Sequence, residues 1–341
     1  MPNIRDVAQL AGVAPITVSR VINGAESVTD DTRRRVQYAI DQLHYVPNTL
    51  ARSLRSHQTN TIALIVSDIT NPFWTTVARG VEDTAAENDF RTILCNTDED
   101  PAKETIYLNL LVERRVDGVI IAPATRDKKR LALLKQLHVP CVLIDRRVEG
   151  FKADLVYGDS RTGARWLIDH LIELGHQRIA LINGPTTISS AQDRADGYRE
   201  SLEAHGLVME ANLVFQGAFK QESGYQLVKQ ALACAPRPTA LLAANNFIAL
   251  GALQALSEAG QRVPEDMALV CIDDVPYLSV IDPFLTVAVQ PAYEMGESAA
   301  QLLIERLTTH CDDETREVVL APQLIIRRSC GQCQHNAGQS A

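Results

Sequence analysis

The chain has 341 residues, of which 46% are hydrophobic and 22% are charged, and its formal net charge is −9 at pH 7. This length suits two or three folding units, and the composition is typical of a globular protein in water. No apolar run reaches the roughly 18 residues that span a membrane, and the N-terminus lacks the apolar core of a signal peptide. These observations argue against a membrane-embedded or secreted protein and predict a cytoplasmic one.

The charge is distributed unevenly along the chain. Residues 1–60 hold seven arginines and no lysine against five acidic residues, a balance of +2. The remainder holds 26 basic against 37 acidic residues, a balance of −11. A small basic arm on an acidic body indicates that only the arm binds a polyanion such as nucleic acid.

The first 45 residues have the periodicity of helices and contain no run typical of a strand. In the stretch NIRDVAQLAG, Asn3 is suited to cap a helix and Gly12 to end it. Val7, Leu10 and Ala11 share the predicted apolar face of this first helix.

Two further helices are predicted before residue 48. In VAPITVSRVING, Pro15 suits the first turn and Asn23-Gly24 ends the helix. A third helix begins at about Thr29 and stops at Pro47. Two short helices joined by a tight turn, with a supporting third, are typical of a helix-turn-helix. A generic three-helix bundle is the alternative, because the pattern is short.

From Thr61 onward, about ten short apolar runs alternate with amphipathic helical stretches. This alternation predicts parallel sheets covered on both faces, and ten strands fit two α/β units better than one sheet. The break is expected near residues 159–161. The final helix, at residues 291–309, and a single VVLAPQLIIRR strand are expected to cross between the units. Polar residues follow the strands, which predicts a ligand cleft between the units.

The seven cysteines show no disulfide or metal framework. Those in or beside apolar runs are predicted to be reduced, buried thiols: Cys95, Cys141, Cys234 and Cys271. Cys330 and Cys333 form one CxxC beside His335 in a polar tail. A tail without function is favoured over a zinc or redox site, since structural zinc takes four ligands.

The motifs together resemble the LacI/GalR family of bacterial transcription repressors over almost the whole chain. They include IRDVAQLAGV, TVSRVING, TRRRVQYAIDQLHYVPN, LARSLR, DITNPFW, RVDGVIIAP, VPCVLIDR, HLIELGHQRIALING, RADGY, ANNFIALGAL and RVPEDMALVCIDD. The resemblance implies an N-terminal all-α helix-turn-helix domain. It also implies an α/β core like the periplasmic binding proteins of the ribose type, made of two doubly wound parallel-sheet subdomains.

The resemblance also implies a division of the chain into five parts. These are a DNA-binding domain at 1–46, a hinge helix and linker at 47–60, a first sensor subdomain at 61–160 with 291–320, a second at 161–290 with 321–330, and a disordered tail at 331–341.

The recognition helix is placed by the resemblance at Pro15 to Asn23. Arg20 is the expected base reader, because a guanidinium pairs bidentately with guanine O6 and N7; a solvated surface charge is the alternative. Ile16 is expected to contact a thymine methyl. Short polar groups suited to phosphate oxygens are carried by Thr17, Ser19 and Asn23. Many family members carry serine at position 14, so Ala14 removes a helix cap worth about 1 kcal/mol.

The stretch PNTLARSLRS, at residues 47–56, is too short to hold a helix alone in water. By resemblance it forms a hinge helix against its two-fold mate on DNA. Ala51 and Leu54 share a face, and Leu54 is expected to wedge into the central minor-groove step and kink the site. Arg52 and Arg55 would then contact phosphates or groove edges. A flexible tether is the alternative.

The effector site implied by the resemblance consists of polar and aromatic residues at strand ends: Asn71, Phe73, Trp74, Asp145, Arg146, Arg194, Phe219, Asn245, Asp273 and Gln290. Charged and amide groups beside flat aromatic faces suit a polyol, and Phe73 with Trp74 is expected to sandwich a sugar ring. Alternatives remain for four of these residues. Asn71-Pro72 is also a turn signal, Asp145 and Arg146 suit a structural ion pair, and Asp273 suits a loop cap.

The sequence therefore predicts a repressor that binds a palindromic operator as a homodimer and responds to a small sugar, with ribose or a related pentose favoured. A purine or other metabolite as the effector is one alternative, and a solute receptor without a DNA role is another. No GxGxxG, GxxxxGK[ST], HExxH or GxSxG motif is present, so no enzyme activity, catalytic residue, metal or cofactor is predicted. Release of DNA on sugar binding is favoured over sugar-promoted binding, because sugar-responsive members usually behave so.

Overall fold

A computed structural model describes residues 2–22, 24–25, 27–45, 59–136, 139–275, 283–309 and 314–331. The chain divides into two compact units, Met1–Thr59 and Asn60–Ala341. Several predicted positions lie outside the described residues: Asn23, the hinge stretch with Ala51, Leu54 and Arg55, and the tail from residue 332 with Cys333.

The N-terminal unit contains the three predicted helices: α1 (Ile4–Ala11), α2 (Pro15–Ile22) and α3 (Asp30–Leu43). The Asn3 side chain accepts hydrogen bonds from the backbone N–H groups of Arg5 and Asp6 at the start of α1. The Asp6 carboxylate accepts from the Asn3 N–H in return, which completes a capping box. Gly12, at φ 64°, ends the helix in the left-handed region. Thr29 caps α3.

The prediction that Leu10 lies on the buried face of α1 is wrong, because its side chain is 51% exposed. The inward residues of this helix are instead Val7, Ala8 and Ala11. At about 100° per residue, these three span one narrow face, and Leu10 lies roughly 100° from its centre. Val18 and Val21 of α2 and Val36 and Ala39 of α3 complete the small core.

The C-terminal unit is built on two six-stranded sheets. The strands are β1 (Thr61–Val66), β2 (Arg91–Asn96), β3 (Gly118–Ile121), β4 (Cys141–Ile144), β5 (Asp154–Gly158), β6 (Ile179–Asn183), β7 (Val214–Gln216), β8 (Ala240–Ala243), β9 (Ala268–Ile272), β10 (Thr286–Val289), β11 (Glu317–Leu320) and β12 (Gln323–Ile325). The first sheet has the order β11-β5-β4-β3-β1-β2, and the second has the order β12-β10-β9-β8-β6-β7. All pairs are parallel except β10 with β12.

Helices cover both faces of each sheet, as parallel strands require. They are α4 (Pro72–Glu87), α5 (Pro101–Glu113), α6 (Lys128–Gln136), α7 (Ser160–Glu173), α8 (Ser189–Ala204), α9 (Gln221–Leu232), α10 (Asn246–Glu258) and α11 (Ala292–Thr308). Helices α4, α5, α6 and α11 pack on the first sheet, and with it form the first lobe. Helices α7 to α10 pack on the second sheet and form the second lobe.

The segment VVLAPQLIIRR forms two strands rather than the single strand that its apolar run predicts. Strand β11 pairs with β5 in the first lobe, and β12 pairs with β10 in the second. Ala321 and Pro322 separate them, and proline cannot donate to a strand ladder. The chain therefore changes lobes at this proline.

Helix α11 returns to the first lobe and packs closely against α4. An added Cβ at Gly80 would lie 2.2 Å from the Tyr293 carbonyl oxygen, and one at Gly296 would lie 2.1 Å from the Val77 carbonyl oxygen. Glycine at both positions lets the two helix backbones touch, which fixes α4 and the site residues at its N-terminus.

The cysteine predictions need two corrections. Cys234 is only half-buried, although Cys95, Cys141 and Cys271 are buried thiols as expected. Cys330 does not belong to a tail, because its side chain is fully buried in the second lobe. Its sulfur lies 3.3 Å from Nε2 of His170 and accepts a hydrogen bond from the Thr286 hydroxyl.

Candidate effector cleft and DNA-binding surface

The carboxyl ends of the two sheets enclose one polar cleft between the lobes. Nine of the ten predicted effector residues line it, and only Gln290 lies behind the lining. Four lining residues were not predicted: Ser67, Asp68, Glu99 and Ser190. Asp68 and Glu99 also follow strands of the first sheet, and the acidic run at 98–100, one residue beyond β2, was a signal that could have identified Glu99.

The cleft contains two carboxylates in equivalent places, one from each lobe. Asp145 follows β4 and Asp273 follows β9, and both have φ 64°. At Asp145 the backbone is tightly turned, since the Arg146 N–H donates to the Ile144 carbonyl at 2.7 Å. Left-handed backbone at a non-glycine residue costs free energy and is concentrated at functional sites. The turns aim both carboxylates into the cleft.

Gln290 holds the Asp273 carboxylate from behind. Its side-chain N–H groups donate to both carboxylate oxygens, at 3.2 and 3.0 Å, and its backbone N–H donates to Oδ1 at 3.2 Å. Burial raises the pKa of Asp273 to about 6, although Arg194 and Gln290 act in the opposite direction. Gln290 is therefore a positioning residue for the carboxylate.

Asp273→Asn is expected to stabilise the fold at pH 8 by about 1–3 kcal/mol, since a neutral amide has no charge to desolvate. Because the pKa of Asp273 is raised, its contribution to stability is present below pH 4 and is lost as the pH rises through about 6. The advantage of the asparagine should therefore vanish at about pH 4. Urea unfolding at both pH values measures this, and an equal difference at the two would contradict it.

Arg194 projects from α8 into the cleft and is 4% exposed. Its Nε donates to the Ser160 hydroxyl at 3.3 Å, and its guanidinium carbon lies 5.5 Å from the centre of the Phe219 ring. The Phe219 ring in turn rests on Gly184, where a Cβ would come within 2.2 Å of it. The guanidinium is thus fixed on an aromatic face.

The Arg146 guanidinium forms an ion pair with a carboxylate of its own lobe. Its two terminal nitrogens each donate to Glu99 at 2.7 Å, and one also donates to the Pro123 carbonyl at 3.0 Å. Burial alone would lower the pKa of Arg146, but the charges and hydrogen bonds of Glu99 and Asp145 together raise that pKa. Asp145 is a secondary partner, at 3.5 Å from Nε. The Asp145–Arg146 contact left open by the sequence is present, but Glu99, which the sequence did not suggest, is the main partner of Arg146.

The aromatic residues do not form the sandwich predicted for Phe73 with Trp74. Their ring planes meet at 79° with centroids 4.9 Å apart, so the pair cannot hold a sugar ring between parallel faces. The opposite aromatic wall is Phe219 of the second lobe. Edge-to-face packing arises because adjacent residues at a helix start point in different directions.

Two asparagines cap helices at the edge of the cleft. Asn71 caps α4 and Asn245 caps α10 through their side-chain oxygens. Asn71 also exchanges reciprocal 2.9 Å hydrogen bonds with the buried Asn246 of the second lobe. The turn signal at Asn71 is therefore real, and the residue also joins the lobes.

The side chains of the cleft leave a free volume of about 30 Å³ between the lobes. The Ser190 hydroxyl of the second lobe lies 3.4 Å from the Asp145 carboxylate of the first. The structure thus shows the lobes closed on each other, and a sugar-sized ligand requires the lobes or the lining side chains to move.

The second helix of the N-terminal unit presents the predicted DNA-reading residues. Pro15, Ile16 and Arg20 are exposed, and Thr17 and Ser19 are half-buried. The Ala14 carbonyl accepts from the backbone N–H groups of residues 17 and 18, which starts the helix without a side-chain cap.

Sequence reasoning missed the structural role of two arginines in α3. Arg35 donates to the carbonyls of Ala11 and Gly12, at 2.6 and 3.1 Å, and so closes the C-terminus of α1. Arg33 donates to the Ala25 carbonyl at 3.0 Å. Both side chains hold the loops on either side of α2 through these hydrogen bonds, instead of being free to contact DNA.

Comparison with known proteins matches residues 3–48 to "Bacterial regulatory proteins, lacI family" and residues 168–330 to "Periplasmic binding protein-like domain". The ribose operon repressor of Escherichia coli (strain K12) is 36% identical over 330 residues, which cover 96% of this chain and 100% of that protein. The chain belongs to the LacI family. The HTH-type transcriptional repressor PurR of Haemophilus influenzae (strain PittEE) is 35% identical over 333 residues, covering 96% and 98%.

A solved structure of the lac repressor dimer bound to operator and an anti-inducer is also similar to this LacI-family chain. It is 28% identical, with a TM-score of 0.84, and the match covers 96% of this chain and 99% of that one. The predicted family and the two-sheet architecture are thus confirmed. The relatives named here are transcriptional repressors.

The described residues lack both a membrane-spanning helix and a cluster of metal-binding side chains. None of the helices in the ranges given above is both long and apolar enough to cross a membrane. The same part of the chain holds no group of three or more histidine, cysteine, aspartate or glutamate side chains placed to bind a metal ion.

Proposed function

We propose that this LacI-family repressor binds a palindromic operator as a homodimer, and releases it when ribose or a related pentose binds between the lobes. The observation that carries the sugar assignment is the convergence of Asp145, Arg194 and Asp273 beside the Phe219 ring in one cleft. Carboxylates accept and a guanidinium donates hydrogen bonds to vicinal hydroxyls, while an aromatic face covers the apolar C–H face of a sugar.

The charge of the lining favours an uncharged polyol. Four carboxylates, those of Asp68, Glu99, Asp145 and Asp273, line the cleft, and each is an acceptor for hydroxyl donors when ionised. These four carboxylates outnumber the two guanidinium groups of the lining, so a sugar phosphate would meet a net negative charge. A purine base offers fewer hydroxyl partners, yet the similarity to PurR makes it the second candidate.

The homodimer is supported by an exposed apolar surface on the first lobe. Ile93 and Leu94 of the edge strand β2 are 40% and 46% exposed, and Ile106 and Leu110 of α5 are 65% and 40% exposed. An uncovered edge strand with apolar side chains pairs readily with another chain. A second copy of this protein covers it in the proposed dimer, and two-fold symmetry then matches a palindromic site.

The ligand is identified by thermal-shift measurements on the full chain with ribose, other pentoses, cellobiose, purine bases and nucleosides. A pentose at about 1,000 times its Kd should stabilise the protein by about 4 kcal/mol, and ribose 5-phosphate should have no effect. Stabilisation by a purine base alone would overturn the sugar assignment and leave the family unchanged.

A further inference from the structure

A lysine side chain joins the two lobes at the edge of the cleft. Lys220 lies directly before α9 in the second lobe and directly after Phe219 of the cleft lining. Its Nζ donates to Asp68 Oδ2 at 2.7 Å and to Asp98 Oδ1 at 2.5 Å. Both carboxylates belong to the first lobe, where they follow β1 and β2. These two contacts are called the Lys220 bridge below.

The acidic side of the bridge is rigidly placed. The other oxygen of Asp68 accepts from the Thr70 N–H at 3.0 Å and the Thr70 hydroxyl at 2.6 Å, so the carboxylate is fixed towards Lys220. Asp98 has φ 57° and a weaker second cation, Lys103, at 3.5 Å. Separating the lobes breaks both Lys220 contacts but leaves the Thr70 and Lys103 contacts within the first lobe.

We propose that the Lys220 bridge stabilises the closed arrangement of the lobes. The bridge acts between the lobes themselves, so its effect does not depend on which ligand the cleft binds. Weakening the bridge should shift the population towards more open arrangements.

The bridge biases the lobes without locking them. The Lys220 side chain is 36% exposed, so each ion pair is screened by water and salt. Two such pairs should change the ratio of open to closed forms about three- to tenfold. The Arg147–Asp193 ion pair and the reciprocal Asn71–Asn246 hydrogen bonds also join the lobes, and they remain when Lys220 is replaced.

Trp74 reports opening without any ligand. It lines the cleft, is 5% exposed, and is one of two tryptophans in the chain, so Trp166→Phe leaves it as the only one. In that background, Lys220→Met should increase acrylamide quenching of Trp74 at low salt, with an open population about three- to tenfold larger. At high salt, the Trp166→Phe protein that keeps Lys220 should show the same quenching as Lys220→Met, because salt screens the bridge.

The matched control is Lys229→Met in α9, the helix that directly follows Lys220. Lys229 is exposed and lies over the Tyr225 ring, within the second lobe, so its loss should leave quenching unchanged. Equal quenching of Lys220→Met and Lys229→Met at low salt would overturn the proposal.

If Lys220→Met fails to fold by circular dichroism, Asp98→Asn removes one arm of the bridge and must raise quenching by a smaller factor. No rise there would also overturn the proposal. The failure of every sugar in the thermal-shift panel would not affect this result.

Discussion

Arg194→Met is expected to weaken effector binding about 100-fold or more, because charge-assisted hydrogen bonds contribute about 1.5–3 kcal/mol each and a guanidinium can give two to a sugar. The side chain is buried and fixed between Ser160 and the Phe219 ring, so no neighbouring group can replace it. Its positive charge also holds down the pKa of Asp273, which would rise further without it. Repression by this variant should no longer respond to the sugar.

Calorimetry with the sugar found by thermal shift measures the first half of this prediction, and operator binding by fluorescence anisotropy measures the second. Arg199→Met is the matched control, since Arg199 lies on the same helix with an exposed side chain that pairs with Asp196. It should bind sugar and operator like the unmodified protein. If Arg194→Met kept sugar affinity within about threefold, the cleft could not be the effector site.

Arg20→Ala should weaken binding to the selected operator about 30-fold or more, since a bidentate arginine–guanine contact is worth about 1–3 kcal/mol and a dimer makes two. Val18 and Val21, on the buried face of the same helix, keep α2 in place, so the loss would reflect the missing contact rather than unfolding. Binding to a random duplex should fall far less, because phosphate contacts dominate it.

Arg34→Ala is the control for Arg20, because Arg34 is an exposed arginine on the supporting helix α3. It should change specific and random binding alike, through loss of general positive charge. An equal loss of both kinds of binding in Arg20→Ala would show that Arg20 is a solvated charge and not a base reader. The wedge role of Leu54 stays a prediction, because that residue lies outside the described ranges.

The sequence alone was sufficient to predict those features of the fold and the cleft that depend on local patterns. Apolar runs alternating with helices predicted two parallel sheets, and the motifs at strand ends predicted most of the cleft lining. Two errors in local pattern were the Leu10 face and the strand interrupted at Pro322. The first arose because a shift of one residue in helical phase changes which side chains a short helix buries. The second arose because one proline is enough to end a strand.

Contacts between distant segments could not be predicted in this way. Glu99 and Arg146 are 47 positions apart, and Lys220 is 152 positions from Asp68 and 122 from Asp98. In the sequence, each of these residues is indistinguishable from an ordinary charged surface residue. Only the packing of the folded chain brings the partners within hydrogen-bonding distance. The closed state of the cleft likewise depends on the positions of both lobes and leaves no local signal.

The central claim is that one ligand, bound between the lobes, controls binding to DNA. The most direct test measures the affinity of the full chain, by fluorescence anisotropy, for a palindromic duplex that it selects from a random pool, with and without saturating ribose. We expect ribose to lower this affinity about tenfold or more, within the usual range of coupling between two sites, and to have no effect on Arg194→Met. Sugar binding by calorimetry together with an unchanged operator affinity would contradict the account.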